Sequence, residues 1–388
     1  MAKCKSTFEK LKECAQSGNA ESQYILANKY YEGDGIKSSY KEALKWFSLA
    51  AGQGHNEAQA WLGYVYLWGK GTKINHQLAL KWFKKASRSG NPYAQYNIGM
   101  FYIFGYEVRQ DRRKANHWFK KAAEGGHAGA QYLLADAYSR GAGIRRNKKL
   151  AFYWFRQAAM QNHIKAQFKL GKAYFSGFGI KQNNRSAFRW FQKAAQAGNA
   201  KAQSELAYCY FRGKGVRKDF KKAKQWAYLS AEQDCPDGLS ALAGAYLFGE
   251  GVKRNIRKAI ELLEKAANQG DIFSQAYLGY LYWRGLNVKQ DYRKAFSWFK
   301  KASISGDPET QMYLGICYHN GQGTRKNYKK SVYWYRLAAK QSNSEAQYFL
   351  GLSYQDGHGV PKNKRISRYW LQKAAESGHK QAIAALAQ

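Results

Sequence analysis

The chain repeats itself every 36 residues, and that beat leaves few folds open to it. A glutamine marks it at Gln23, Gln59, Gln95, Gln131, Gln167 and Gln203, gives way to Leu239, and resumes at Gln275, Gln311 and Gln347. A tyrosine follows seven residues after the marker in all ten copies, from Tyr30 to Tyr354. A tryptophan follows twenty-three after it in nine, with Leu262 in that place in the seventh copy. Ile383 opens a partial eleventh copy, and no insertion or deletion interrupts the series. Such a period marks stacked units that bury their apolar faces on their neighbours, not separate globular domains.

The stretch from Ala166 to Gly198 shows one unit. Leu170, Gly171 and Tyr174 lie three, four and seven residues past Gln167, on one stripe of a helix. Asn19, Asn91, Asn199, Asp271 and Asp307 stand where they can cap that helix, and Pro92, Pro236 and Pro308 take its first position. A glycine ends it in all ten copies, from Gly33 to Gly357, as a left-handed C-terminal cap favours. A second turn glycine follows in eight copies; Glu107 and Asn287 replace it, so those turns should differ slightly. A further cap, from Ser39 to Asn363, starts a second helix bearing residues such as Ala187, Trp190, Ala194 and Ala195. Glycines inside the first helix, such as Gly63 and Gly171, each cost about 1 kcal/mol against alanine. They imply close approach of a neighbouring helix, with the tryptophan as the side chain laid over them.

The formal charge of +38 would attract nucleic acid, anionic lipid and acidic proteins alike; a lysine-rich solvated surface explains it equally well. The opening residues, MAKCKSTFEKLKEC, lack the apolar core of a secretory signal, and nowhere do eighteen apolar residues run together. The cysteines, Cys4, Cys14, Cys209, Cys235 and Cys317, form no CxxC pair. Cys209 and Cys317 share a first-helix position often filled by a small residue, so buried thiols in a reducing, intracellular setting are expected.

The pattern AQxxLGxxYxxGxGVxxDxxKAxxWFxKAAxxG, carried in part by residues 202–215 and again by 275–306, resembles the Sel1-like repeat. The resemblance covers nearly the whole chain. It implies an all-α fold, an α/α superhelical solenoid of about ten 36-residue helix-turn-helix repeats related to the tetratricopeptide repeat. It also implies a non-enzymatic adaptor, a role that family members take in bacterial signalling and host interaction and in eukaryotic membrane-protein quality control. The division it suggests is a capping half-repeat at 1–19, ten repeats at 20–378 and a capping helix at 379–388. The chain lacks the cysteines of the family's disulfide-stapled secreted branch and shows no signal peptide. The cytoplasm, or delivery into a host cell without a cleaved signal, is the expected location. A monomer is expected, with no membrane segment, cofactor or metal.

Function then has to sit where copies differ. With Leu170, Gly171 and Tyr174 buried, the opposite face of the first helix carries positions one, five and nine after the marker. Likeness to tetratricopeptide repeats makes that face a concave groove. Positions five and nine read Tyr64 with Trp68, Met100 with Phe104, Asp136 with Arg140, Lys172, Tyr208 with Arg212, Phe248, and Tyr280 with Arg284. Position one adds Tyr96, Tyr132, Phe168, Met312 and Tyr348. Tyrosine, arginine and exposed tryptophan are the residue types enriched at binding hot spots. Packing is the other reading: rings wedged between adjacent first helices, Arg212 and Arg284 stacked on Tyr208 and Tyr280, Arg140 paired with Asp136. Leu239 and Leu262 predict weaker packing and a bend near residues 235–270.

Lys37, Lys73, Arg109, Arg145, Lys181, Arg217, Lys253, Lys289 and Arg325 follow the β-branched turn residue in nine copies, and Pro361 breaks the series. Stacked, they would form a basic ridge able to follow phosphates or an anionic bilayer, or else a solvated edge. No HExxH, GxSxG or P-loop pattern occurs, and His55, His127, His163 and His379 share one position before the first helix, as capping residues would. The expected function is presentation of a groove to a protein or peptide. The alternative is electrostatic binding of nucleic acid or anionic membrane through the ridge.

Overall fold

The computed structural model describes residues 7–387, and among them are 22 α-helices, one short 3-10 turn at Ser303–Ser305 and no strand. Cys4 lies outside the described residues. The helices form two compact units that part between Ala197 and Gly198. A lone helix, Thr7–Gln16, precedes the first pair, and another, Lys380–Leu386, follows the last. Within each unit, every second helix packs on its own first helix and on the first helix of the next copy.

Local chemistry sets each pair. All ten second helices start at an Asn, Asp or Ser whose side chain accepts a backbone N–H of the first turn, as Asn183 does from Ser186. The first helices end on glycines at φ between 66° (Gly69) and 79° (Gly33). The chain then folds back so that the N–H of the next cap donates to the carbonyl of the repeating tyrosine, as from Asn183 to Tyr174 at 2.8 Å. Glu107 and Asn287 adopt φ of 52° and 61° where Gly143 and Gly179 adopt 71° and 73°. The two exceptional turns keep the left-handed shape with a smaller φ.

The marker glutamine ties copies together. Its buried Nε2 donates to an alanine carbonyl eight residues earlier, at the end of the preceding copy's second helix, as from Gln59 to Ala51 at 3.2 Å and Gln275 to Ala267 at 2.9 Å. In four copies its Oε1 accepts from a glutamine thirty residues later, at the end of its own copy's second helix. Gln53 bonds Gln23 in this way at 2.7 Å, and Gln341 bonds Gln311 at 3.1 Å. Where that later residue is Gly125 or Ser377, the Oε1 of Gln95 or Gln347 is buried with no partner.

The glycines inside the first helix are covered, but not by tryptophan. A Cβ at Gly63 would lie 2.7 Å from the ring of Phe83, one at Gly99 would meet Phe119, and one at Gly171 would meet Phe191. These rings stand one residue after the tryptophan, on the stripe shared with the buried alanines. The tryptophan is half-buried at the edge of the core, fully buried only at Trp46, and a lysine three residues on lies over its face, Lys85 at 4.2 Å from Trp82 and Lys193 at 4.8 Å from Trp190. Gly244 differs from the covered glycines: nothing stands within 4 Å of where its Cβ would be.

Two substitutions read these contacts with opposite signs. Gly63→Ala should lower stability by about 1–3 kcal/mol through overpacking against Phe83. Gly244→Ala should raise it by about 0.5–1 kcal/mol through helix propensity; denaturant unfolding of the two variants checks both. Ser377→Gln should raise stability by about 1 kcal/mol, because it supplies Gln347 Oε1 with the donor that Gln341 supplies to Gln311. An unchanged unfolding midpoint would show that the amide link adds nothing.

Candidate partner-binding faces of the two units

Position one of the first helix serves packing between copies. Tyr96 and Tyr132 are half-buried and stack on His127 and His163 with ring centroids 4.4 and 4.8 Å apart. Each histidine caps the next first helix, its Nδ1 accepting from Ala130 N–H at 3.1 Å and from Ala166 N–H at 3.2 Å. Burial holds both imidazoles below their ordinary pKa of 6.5 and raises both phenols. The rings also tilt against Phe119 and Phe155, as Phe168 does against Phe191 at 6.2 Å.

Position five is mixed. Tyr64 sits in an aromatic run with Tyr31, Trp61 and Tyr93 at centroid distances of 6.3, 5.5 and 6.4 Å. Burial pushes the Tyr93 phenol up to about 12, and burial with a hydrogen bond to Tyr64 raises that of Tyr31. Met100 packs on the cluster around Phe119 and Leu134, while Lys172 is exposed. Tyr280 tilts toward Tyr313 at 6.0 Å.

Position nine is the exposed one. Trp68, Phe104 and Phe248 keep 60, 56 and 65% of their surface in solvent. Arg140 pairs with Asp136 at 3.0 Å. Arg212 and Arg284 lie over Phe211 and Trp283, the rings one residue before them, at 5.2 and 5.8 Å; Tyr208 and Tyr280 were the expected partners.

In the second unit, Tyr208, Arg212 and Phe248 converge on a pocket of about 470 Å³. Missing rings open it. In four other copies the aromatic at position one packs on the ring twenty-four residues after the marker, as Tyr96 does on Phe119. In the sixth copy those two positions are Ser204 and Ala227, and the seventh adds Ser240 and Gly244. Phe211, Phe220 and Phe273 complete the walls. The sequence reading singled out Tyr208, Arg212 and Phe248 and passed over the small residues, whose only signal was an absent side chain.

All nine basic turn residues are exposed, from Lys37 to Arg325. Arg109 is joined by Arg112, Arg113 and Lys114 around a polar cleft. Asp111 lies among them, and its carboxylate accepts from the N–H groups of Arg113 and Lys114 at 2.9 and 3.0 Å. These donors, that of Lys114 first, hold its pKa below the ordinary value. Burial pushes the Cys209 and Cys317 thiols up to about 12, as fully enclosed side chains require. No helix among the described residues is long and apolar enough to cross a membrane.

Compared with known proteins, the chain matches the family model described as Sel1 repeat in ten consecutive blocks, from residues 20–55 to residues 344–379. A solved protective antigen of uropathogenic Escherichia coli with an SLR fold is 33% identical, over 97% of this chain and 81% of that one, with a TM-score of 0.75. A Sel1 repeat protein from Oxalobacter formigenes is 29% identical over 63% of this chain and 96% of that one, with a TM-score of 0.55. No curated protein sequence matches it.

The capping histidines generate a pH dependence. Their folded pKa values lie below 6.5, so the unfolded chain binds protons first and stability falls as pH drops below that value. Thermal melts should therefore shift down between pH 7.5 and 5.5. The double variant His127→Asn with His163→Asn, which installs the cap used at Asn91 and Asn199, should shrink that shift. An unchanged pH profile in the variant would place the dependence elsewhere.

Proposed function

The chain belongs to the Sel1 repeat family, an all-α solenoid of ten 36-residue repeats, and from that premise we propose a scaffold that holds a protein or peptide against its first helices. The role is binding, not catalysis. The observation that carries this reading is the exposure of Trp68, Phe104 and Phe248 at a single position of the repeat. Singly exposed apolar side chains need no explanation. Three large rings at one register, left in water by a fold that encloses Phe83, Phe119 and Phe191, do need one. Arg140, Arg212 and Arg284 occupy the same position in the fourth, sixth and eighth copies, so the first-helix face of each unit offers both aromatic anchors and forked donors. The solved relatives are bacterial proteins, which supports a bacterial signalling or host-directed setting for the scaffold.

The electrostatic alternative is favoured by a different observation, the exposure of all nine turn cations. Peptides selected from a displayed random library on the full chain separate the two readings. Trp68→Ala with Phe104→Ala should weaken the selected peptides by roughly 30-fold or more. Charge reversal at Arg109, Arg145 and Lys181 should leave them within about twofold, though it would weaken any oligonucleotide binding and flatten its salt dependence. If the ridge variant loses binding and the aromatic variant keeps it, the scaffold reading fails.

A further inference from the structure

Acidic side chains gather at the pocket in the second unit. Four of its nineteen lining residues are acidic, Glu205, Asp237, Glu250 and Asp271, against Arg212 and Lys224, in a chain of formal charge +38. Asp271 is committed to its helix, its carboxylate accepting from Ser274 N–H at 2.7 Å. Glu250 is not so committed. Its Oε2 is buried and accepts no hydrogen bond.

The repeat shows why that oxygen is out of place. Glu250 stands between two turn glycines, in a turn that presses on the start of the preceding copy's second helix; a Cβ on Gly251 would strike the Phe220 carbonyl. In other copies the equivalent residue meets a matched neighbour there or nearby. Lys70 lies 5.1 Å over Tyr40, His358 stacks on Tyr328 at 4.4 Å, and Gln322 accepts from Trp283 Nε1 at 3.0 Å. In the seventh copy a carboxylate meets a phenylalanine, which offers no donor. A buried carboxylate oxygen without a donor is costly, and a cation entering from the pocket would remove that cost.

We propose that this pocket receives an arginine or lysine side chain of a protein partner, its methylene stem against Tyr208, Phe220 and Phe248 and its charged end at Glu250. The stem is apolar enough to lie along aromatic walls, and a cation gains further from ring faces. A volume of about 470 Å³ falls within the range of small-ligand sites and admits a long side chain with some flanking backbone. The net positive charge of the chain disfavours cations in general, so a preference for them at this point is local in origin. The inference rests on the scaffold reading for its partner, but the pocket itself is tested without one.

Saturation-transfer NMR on the full chain can compare butylguanidinium, butylammonium, n-pentanol and pentanoate. The two cations should bind at least tenfold more tightly than the alcohol or the acid. Glu250→Gln should erase that preference while leaving the alcohol unchanged. Gly244→Leu, which fills open space and whose folding is checked by its melting curve, should abolish binding of all four. A Gly-Ser heptapeptide with one central arginine should bind at least as well as butylguanidinium, and its norleucine counterpart should not. Equal binding of alcohol and cations, absence of binding, or a preference that survives Glu250→Gln would overturn the proposal. So would binding of the free cations with exclusion of the peptide, which would mark a small-molecule site. Because the probes do not touch Trp68 or Phe104, failure here is distinguishable from failure of the scaffold reading.

Discussion

One buried amide governs the architecture. The marker glutamine reaches eight residues back to the carbonyl end of one helix and thirty residues forward to the end of another, with its own helix between them. The backward link is a buried side-chain hydrogen bond, and an unmet buried donor or acceptor costs about 1–3 kcal/mol; the forward link, where present, comes from a glutamine at the solvent edge. An insertion in either helix or in the turn would move one partner by at least one residue and break a link. The uniform spacing of 36 residues keeps these partners in register wherever the glutamines are present, and the seventh copy holds the same spacing with Leu239 in the marker position. The unpartnered Oε1 atoms of Gln95 and Gln347 show the same rule by exception, since Gly125 and Ser377 cannot reach back.

Most of the fold was legible because it is periodic. Caps, turn glycines and the buried first-helix stripe recur often enough for their roles to be read from spacing alone. The covering of Gly63 and Gly171 was misread because two large residues stand side by side on the second helix. Trp82 and Phe83 are 100° apart around the helix axis, and only packing decides which one turns inward. Phe83 shares the stripe of Ala79 and Ala86 and is enclosed, whereas Trp82 lies half-buried at the edge of the core beneath Lys85. That arrangement repeats at Trp118, Trp190 and Trp298 with Lys121, Lys193 and Lys301, so part of the positive charge has a structural role on tryptophan faces.

The binding faces were legible only in outline. The sequence shows that positions one, five and nine share a side of the helix, but exposure depends on what the next copy places there. Tyr96 and Tyr132 are half-covered because His127 and His163 follow thirty-one residues later as stacked caps. Trp68 has no such cover. The pocket in the second unit was harder still to foresee, since it consists of what is missing from two consecutive copies: rings at Ser204, Ala227 and Ser240, and a side chain at Gly244. Motif reading looks for residues that are present, and an absence is visible only against the repeat.

That contrast gives the seventh copy its weight. Cys235 is the one first-helix cap in the ten copies whose side chain makes no capping hydrogen bond. Leu239 breaks the glutamine ladder, Gly244 has no packing reason to be glycine, and Glu250 buries an unmatched carboxylate oxygen. All four departures from the repeat fall within sixteen residues, 235–250, beside one cavity. Local-rule violations scattered over ten copies would read as tolerated noise. Gathered around a single opening, they are what a chain shows where its sequence answers to something other than its own stability.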